Sequence, residues 1–423
     1  MNYRALAAAA AAIVCGTAAA NNGLNMIGFG AESVGMGGAD VAVARDISAL
    51  NTNPAGITQL KRPAFDGDAA VAFATYVGHS DTFRNDQRVD NAVIPAGSFG
   101  YTMPLDRQVV VGIGLFAQGG AGNVYKNLQT PFGTTDELSS QIGFLKVSMA
   151  VAWQLTEKLS IGVSVPVAAI FAKQRVFPKT SSNKAADLTP GFFGLDLKNA
   201  RGAGAGVQLG ALWHAAPALT LGVMGASRIR LTADKGTAAV NMTAIGLGVV
   251  NYANARLEGF ALPAEVAVGA AWQADAHTLV SLKIAELWWS SALRDTSLTL
   301  SQPDNPAAPQ VLAQTAMVNA RDQTVAAVGV AHTLDSGTTL YGGFNYGRNP
   351  IPSQNLTPLI AAIGESHLTG GFAAPAASGW SVSGAFEYLL RKTVTYINPA
   401  SPLGRSEERL GYVAVHLMLS RRW

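Results

Sequence analysis

The chain has 423 residues, of which 49% are hydrophobic and only 13% charged, with a formal net charge of +3 at pH 7. A soluble domain carries about 25% charged residues, and the near-neutral balance gives no electrostatic footprint for nucleic acid. Mean hydropathy is +0.21, and no run of about 20 apolar residues follows the N-terminus, which excludes a helical membrane protein.

Residues 1–20 read as an export signal: Arg4, an apolar core from Ala5 to Val14, and Ala18-Ala19-Ala20 as the cleavage site. Cleavage after Ala20 leaves Asn21 as the mature start. The single cysteine, Cys15, lies inside this segment behind the bulky Val14, which argues against lipidation. The mature chain then has no thiol for a disulfide or a metal, which suits export through an oxidising compartment.

Residues 21–62 are rich in glycine, with Gly28-Phe29-Gly30, Gly35-Met36-Gly37-Gly38-Ala39 and Asn51-Thr52-Asn53-Pro54-Ala55-Gly56. They show no sustained alternation, so this segment is expected to fold inside a lumen as a plug rather than join a wall. From residue 63 onward period-two alternation dominates, because successive strand side chains point to opposite faces. Leu159, Ile161, Val163, Val165 and Val167 share one face and Lys158, Ser160, Gly162 and Ser164 the other. Val109, Val111, Ile113 and Leu115 alternate with Gly112 and Gly114 in the same way.

The pattern predicts fourteen strands, near 64–76, 92–103, 107–118, 141–155, 158–173, 203–215, 218–229, 258–273, 276–290, 322–334, 337–347, 366–375, 378–394 and 410–423. Their connectors alternate between short turns, such as Thr156-Glu157 and Ala216-Pro217, and long loops near 77–91, 119–140, 174–202, 230–257, 291–321, 348–365 and 395–409. An even number of strands with alternating turns and loops is the signature of an all-β transmembrane antiparallel barrel, here spanning 63–423. Lipid demands such closure, since an open sheet edge leaves backbone groups unsatisfied in hydrocarbon. Trp153, Trp213, Trp272, Trp288, Trp289, Trp380 and Trp423 fall at or near strand ends, where an interfacial belt is expected.

The last strand ends Leu417-Met418-Leu419-Ser420-Arg421-Arg422-Trp423, and a terminal aromatic resembles the signal read by the barrel assembly machinery. Trp423 replaces the commoner Phe, and Arg421 stands where an aromatic is usual.

Gly-Met-Gly-Gly-Ala at 35–39, followed by Asn-Pro-Ala-Gly at 53–56 and then a first strand, resembles the FadL-type long-chain fatty acid transporters. The same family includes toluene and xylene channels. The resemblance covers essentially the whole chain. It implies a monomeric outer-membrane barrel of a Gram-negative bacterium with both termini periplasmic. An N-terminal hatch would close it, and passive uptake would run through an external groove, a lumen pocket and a lateral gap beside a kinked third strand. It further implies that Asn53, Pro54 and Ala55 meet that third strand, with Gly112 and Gly114 permitting the kink and Gly35 and Gly37 belonging to the hatch.

The groove would lie on loops 174–202 and 230–257, which carry Leu188, Phe192, Phe193 and Leu195, and Val240, Met242, Ile245, Leu247 and Val249. Exposed apolar loops suggest either a binding surface or a cap packed on itself. Candidate substrate contacts are Phe192, Phe193, Leu195, Ile245, Leu247 and, on the third strand, Phe116. By parity Lys283 and Arg391 face the lumen as cations for a carboxylate, with Arg201 and Arg321 at loop–strand junctions. Fatty acid and neutral aromatic or alkane substrates both remain open, with outer-membrane lipid as the surrounding partner.

No cofactor, metal or catalytic residue is expected, because the six histidines, His79, His214, His277, His332, His367 and His416, form no cluster with a nucleophile. A water-filled general porin is disfavoured by the sparse charge and the plug.

Overall fold

The computed structural model describes residues 22–183 and 191–423. The export signal and Leu188 lie outside them. The alternation is realised as β1 (Ala64–Ala74), β2 (Val93–Pro104), β3 (Val109–Ala121), β4 (Thr135–Gln154), β5 (Leu159–Ser182), β6 (Gln208–Ala216) and β7 (Leu219–Ala226). It continues through β8 (Glu265–Gln273), β9 (Thr278–Leu287), β10 (Gln323–Thr333), β11 (Thr339–Gly347), β12 (Ser366–Pro375), β13 (Trp380–Leu389) and β14 (Tyr412–Arg422). Each is antiparallel to its neighbours, and β1 pairs with both β2 and β14, from Ala64↔Arg422 to Ala74↔Tyr412. The result is a closed fourteen-stranded antiparallel barrel.

One face of β5 shows how sequence becomes wall. Val163, Val165, Val167 and Phe171 are 37–45% exposed on the outside, while Ser164, Ala168 and Ile170 between them are buried. In water such a row would be a liability, whereas in lipid it is solvated by acyl chains. Six of the seven tryptophans are likewise 37–52% exposed. Trp289 is the correction: it is fully buried and donates from Nε1 to Gln323 Oε1 at 3.2 Å. Trp288 beside it stays exposed, whereas Trp289 opens the short helix Trp289–Ala292, which follows the end of β9 at Leu287 and turns the ring inward.

Several long connectors are strands rather than loops. Phe192–Ala205, Ile229–Asn241, Val249–Leu262, Asp295–Pro303 and Val311–Met317 form a sheet that grows from the upper half of β5. The predicted strands 203–215 and 258–273 therefore begin late, at Gln208 and Glu265, where the chain breaks between wall and outer sheet. Pro263, with no N–H for a ladder, lies at one of these breaks. A second small sheet joins Gly78–Asp81, Asp86–Arg88, Lys392–Ile397 and Arg405–Leu410. Among the described residues no helix is long and apolar enough to cross a membrane.

Residues 22–60 lie inside the barrel, almost wholly buried, with short helices at Ala31–Gly35 and Ala49–Thr52 and a 3-10 turn at Pro54–Gln59. They fit because the wall supplies glycine where their backbone touches it. A Cβ on Gly162 would lie 2.4 Å from Ala55 N, on Gly210 1.9 Å from Asn53 Oδ1, and on Gly222 2.4 Å from Val41 O. On Gly329 it would lie 2.5 Å from Met36 O and on Gly343 2.4 Å from Gly37 N. These glycines sit on β5, β6, β7, β10 and β11, with Gly162↔Gly210 and Gly329↔Gly343 as cross-strand partners. The abundance of glycine thus forms a girdle around the hatch.

Candidate functional site

The girdle fixes the hatch, and hydrogen bonds secure it at several points. Tyr341 donates to Glu32 Oε2 at 2.6 Å and Asn345 Nδ2 to Gly37 O at 2.9 Å. Thr369 donates to Gly35 O at 3.1 Å, and Gln208 Nε2 to Asn51 O at 3.1 Å. Asn53 donates from Nδ2 to Val41 O at 2.7 Å and to Ala211 O at 3.3 Å, while its Oδ1 accepts from Ala55 N at 3.1 Å. The backbone of Asn53, Pro54 and Ala55 therefore seats on β5 and β6, at Gly162 and Gly210. Neighbouring hatch residues meet β3: the Leu50 side chain fills the space over Gly112 and Gly114, Asn51 donates from Nδ2 to Gln118 Oε1 at 3.0 Å, and Ile57 shares a core cluster with Val110.

Gly112 and Gly114 lie in regular register with Thr102 and Gly100. The irregularity of β3 falls further along, as a bulge between Ala117 and Gly119 against β4. On the other side of β3, its ladder with β2 stops at Ser98↔Phe116, leaving 93–97 of β2 unpaired with β3. Pro95 in that stretch offers no donor. The free edge of β3 is taken by the hatch instead: Met26 N donates to Gln118 O at 3.1 Å and Gly120 N to Leu24 O at 3.0 Å. Gly119 has φ +148, and a Cβ there would sit 2.0 Å from Leu24 O, so only glycine permits this approach. The wall thus has a window between β2 and β3 that the start of the hatch covers.

Between the hatch and β4–β10 lies a cavity lined by Met26, Phe29, Met224, Ile229, Leu262 and Leu287, with Lys146, Lys283 and Glu265 among them. Its upper apolar lining is continuous with a large apolar cluster beneath the outer sheets, through Met224, Ile229, Leu262 and Leu287. The free space is about 50 Å³, enough for a few waters at roughly 10–15 Å³ each and too little for a hydrocarbon chain.

Lys283 faces this cavity as its parity predicts. Lys146 was not singled out from the sequence, although the same parity on β4 places it on the inner face with Phe144 and Ser148. Glu265 acts on Lys146 electrostatically and Lys283 on Asp40 of the hatch. Neither lysine makes an ion pair or hydrogen bond among the described residues. Arg391 is corrected: β13 ends at Leu389, and the guanidinium lies exposed outside the lumen, 5.1 Å from the Tyr76 ring centre. Arg201 and Arg321 are also exposed.

Phe116 is fully buried, edge-on to Phe29 at 5.8 Å between ring centres, beside the cavity. Phe192 stacks on Phe132 at 4.5 Å in the outer sheet, Phe193 is half-buried there, and Leu195 is buried against Val176 and Val240. Leu247 packs on the same cluster, whereas Ile245 is 48% exposed. The two expected groove loops are thus partners in one sheet, with most of their apolar residues facing its core. Gly35 and Gly37 pack against Tyr341 and Phe344 of β11.

Outside the lumen, His79 is buried between Glu408 Oε1 at 2.6 Å and Asp81 Oδ2 at 3.1 Å, and Tyr396 donates to Glu408 at 3.0 Å. Burial by itself pushes the imidazole down, but the Glu408 and Asp81 carboxylates overcome it and hold the group up at about 9. This charged cluster ties the small outer sheet together. Among the described residues no group of His, Cys, Asp and Glu is arranged to hold a metal.

Residues 9–410 match the family described as Outer membrane protein transport protein (OMPP1/FadL/TodX). A comparison with curated protein sequences gives no match. Among solved structures, the P. putida toluene transporter TodX superposes with a TM-score of 0.78 at 19% identity, covering 94% of this chain and 99% of that one. The Ralstonia pickettii toluene transporter TbuX gives 0.73 at 20% identity, over 94% and 99%. A Pseudomonas aeruginosa FadL homologue gives 0.72 at 14%, over 95% and 99%. At these identities the likeness is one of fold, and it is the family match over nearly the whole length that assigns the chain. The glycine-seated hatch, the fourteen-stranded wall and that match together make this chain a member of the FadL/TodX family of outer-membrane transport proteins.

Proposed function

We propose that this barrel passes long-chain fatty acids across the outer membrane without an energy source, entering from the outer sheets and leaving through the window between β2 and β3. The observation that carries the reading is the pair Lys146 and Lys283 in a cavity otherwise joined to an apolar cluster. A fatty acid presents one carboxylate and a long alkyl chain, and unpaired ammonium groups beside apolar walls suit both ends. Displacing Leu24–Met26 would free the window for lateral exit into the membrane or periplasm. In this reading the chain is a monomer and not an enzyme, its termini are periplasmic, and the assembly machinery reads the strand that ends at Trp423.

A second reading is uptake of monoaromatic hydrocarbons. It is supported by the Phe29–Phe116 pair at the cavity and by the fold shared with toluene transporters. The test is radiolabelled uptake in a transporter-deficient Gram-negative host given oleate or toluene, with the wild type and a K146Q/K283Q variant. Oleate uptake that falls at least tenfold in the variant supports the fatty acid reading. Uptake of toluene alone, unchanged in the variant, replaces it with the second.

A further inference from the structure

Cations also occur on the outside of the wall, close in height and on one side. Along the lipid-facing row of β5, Val163, Val165, Val167 and Phe171 give way to Lys173. Phe171 stands opposite Arg201 on Phe192–Ala205, and Lys173 opposite Gln141 on β4. Directly opposite residues of an antiparallel pair share a face, so Arg201 and Gln141 point outward beside the end of the apolar row. Arg201 and Lys173 are both exposed.

The strand geometry between them is built to leave room. The ladder between β5 and Phe192–Ala205 is irregular between Ala172 and Gln174, and Asn199 opposite adopts φ 55. The bulge opens a recess of about 150 Å³ lined by Gln141, Phe171, Lys173, Asn199 and Arg201. Neither Lys173 nor Arg201 has a carboxylate partner among the described residues. The nearby acids are already engaged, Glu137 and Asp196 by Arg175 at 2.9 and 3.3 Å and Asp196 also by Lys198 at 3.2 Å.

The height of the recess identifies what surrounds it. From Trp153 near the short-turn end of β4 to Gln141 is twelve residues, about 40 Å of strand at ~3.3 Å per residue and ~30 Å of height once a tilt of about 40° is included. The lipid-facing band of such barrels is ~25 Å tall. Lys173, opposite Gln141, therefore stands at the headgroup level of the outer leaflet, with Arg201 and its cross-strand partner Phe171 two residues lower, at the edge of the acyl region.

We infer that this recess is a binding site for an outer-leaflet glycolipid whose headgroup carries phosphate. Arg201 offers a planar fork and Lys173 a point charge to the phosphate oxygens. Gln141 and Asn199 offer neutral donors to the sugar, and the acyl chains run down the Val163–Phe171 row. Charge complementarity and the apolar row below select a lipid over a soluble anion.

The test uses the full barrel in detergent, with native mass spectrometry to measure retention of bisphosphorylated lipid A and of the same lipid A stripped of both phosphates. The wild type is expected to favour the phosphorylated lipid at least tenfold. K173Q/R201Q should bring the two within about twofold, while K198Q, whose charge Asp196 already neutralises, should keep the preference. Heat-modified gel mobility reports that each variant is folded. Millimolar inorganic phosphate is expected to leave the lipid in place. Equal retention of both lipids by the wild type, a preference that survives in K173Q/R201Q, or displacement by free phosphate would overturn the assignment. The wild-type comparison alone decides if the double variant does not fold.

Discussion

Adding one methyl group to β11 distinguishes a hatch seated on the wall backbone from one that merely fills the lumen. Gly342 and Gly343 are sequence neighbours on opposite faces of the same strand, and a Cβ on Gly342 meets nothing within 4 Å. On Gly343 it lies 2.4 Å from Gly37 N and 2.5 Å from Met36 C. Reaching ordinary contact near 3.4 Å requires the hatch turn to withdraw by about 1 Å. That movement stretches the Asn345–Gly37 bond from 2.9 Å and the Thr369–Gly35 bond from 3.1 Å beyond hydrogen-bonding range. Two such bonds at about 1 kcal/mol each, with a buried amide left unsatisfied at up to ~2 kcal/mol more, weaken docking by roughly 2–4 kcal/mol. At 1.4 kcal/mol per tenfold this is about 30- to 700-fold in the docked-to-undocked ratio. Hydrogen exchange of amides 31–39 should accelerate accordingly in G343A, and planar-bilayer recordings should show frequent openings, with G342A like the wild type. Identical exchange and conductance in G343A and G342A would refute the idea that main-chain contact seats the hatch.

Deleting residues 51–56, or changing Asn53 and Pro54 together to alanine, should lower substrate uptake while folded, heat-modifiable barrel still accumulates in the membrane. Trp289→Ala removes a fully buried ring and its bond to Gln323, and a loss of about 3–5 kcal/mol is expected in denaturant titrations of the reconstituted barrel. The folded state raises the His79 imidazole from 6.5 to about 9, so its contribution to the small outer sheet is complete below about pH 6.5 and is lost as pH rises through about 9. Hydrogen exchange of 78–81 and 405–410 should therefore quicken between pH 7 and 10 beyond its intrinsic base dependence, and H79Q should abolish that excess.

The wall was legible because lipid imposes one rule on every strand: all fourteen alternating segments are strands, and β12 matches its expected range from 366 to 375. The outer sheets escaped notice because their strands answer to no single solvent. Val311–Met317 is exposed on nearly every residue, which erases alternation. Arg391 was misplaced because parity holds only as far as the strand continues, and β13 stops two residues earlier. Trp289 was misread for the same reason, since β9 ends at Leu287 and Trp289 opens the short helix Trp289–Ala292. Lys146 was readable on β4, masked by a strand otherwise rich in apolar residues. The partners of Asn53 were beyond sequence reasoning, since the hatch reaches β5 and β6 by a tertiary path that no local periodicity records.

The seam between the first and last strands has a consequence for the order of folding. Ala64 and Arg422 are paired across nearly the entire chain, and Arg422 also reaches back to Asp66 at 2.7 Å and to the Arg45 carbonyl at 3.3 Å. Contacts of such sequence separation form late, because the loop entropy of the intervening chain must be overcome first. The hatch precedes β1 and ends up enclosed, and Arg422 of the last strand holds its Arg45 carbonyl, so a hatch already in place favours closure of the seam. Newly made protein should therefore pass through an open-sided intermediate with the hatch already gathered against β5–β11, and slowing the seam, for example with R422A, should prolong that species without changing the finished barrel's strand pairing elsewhere.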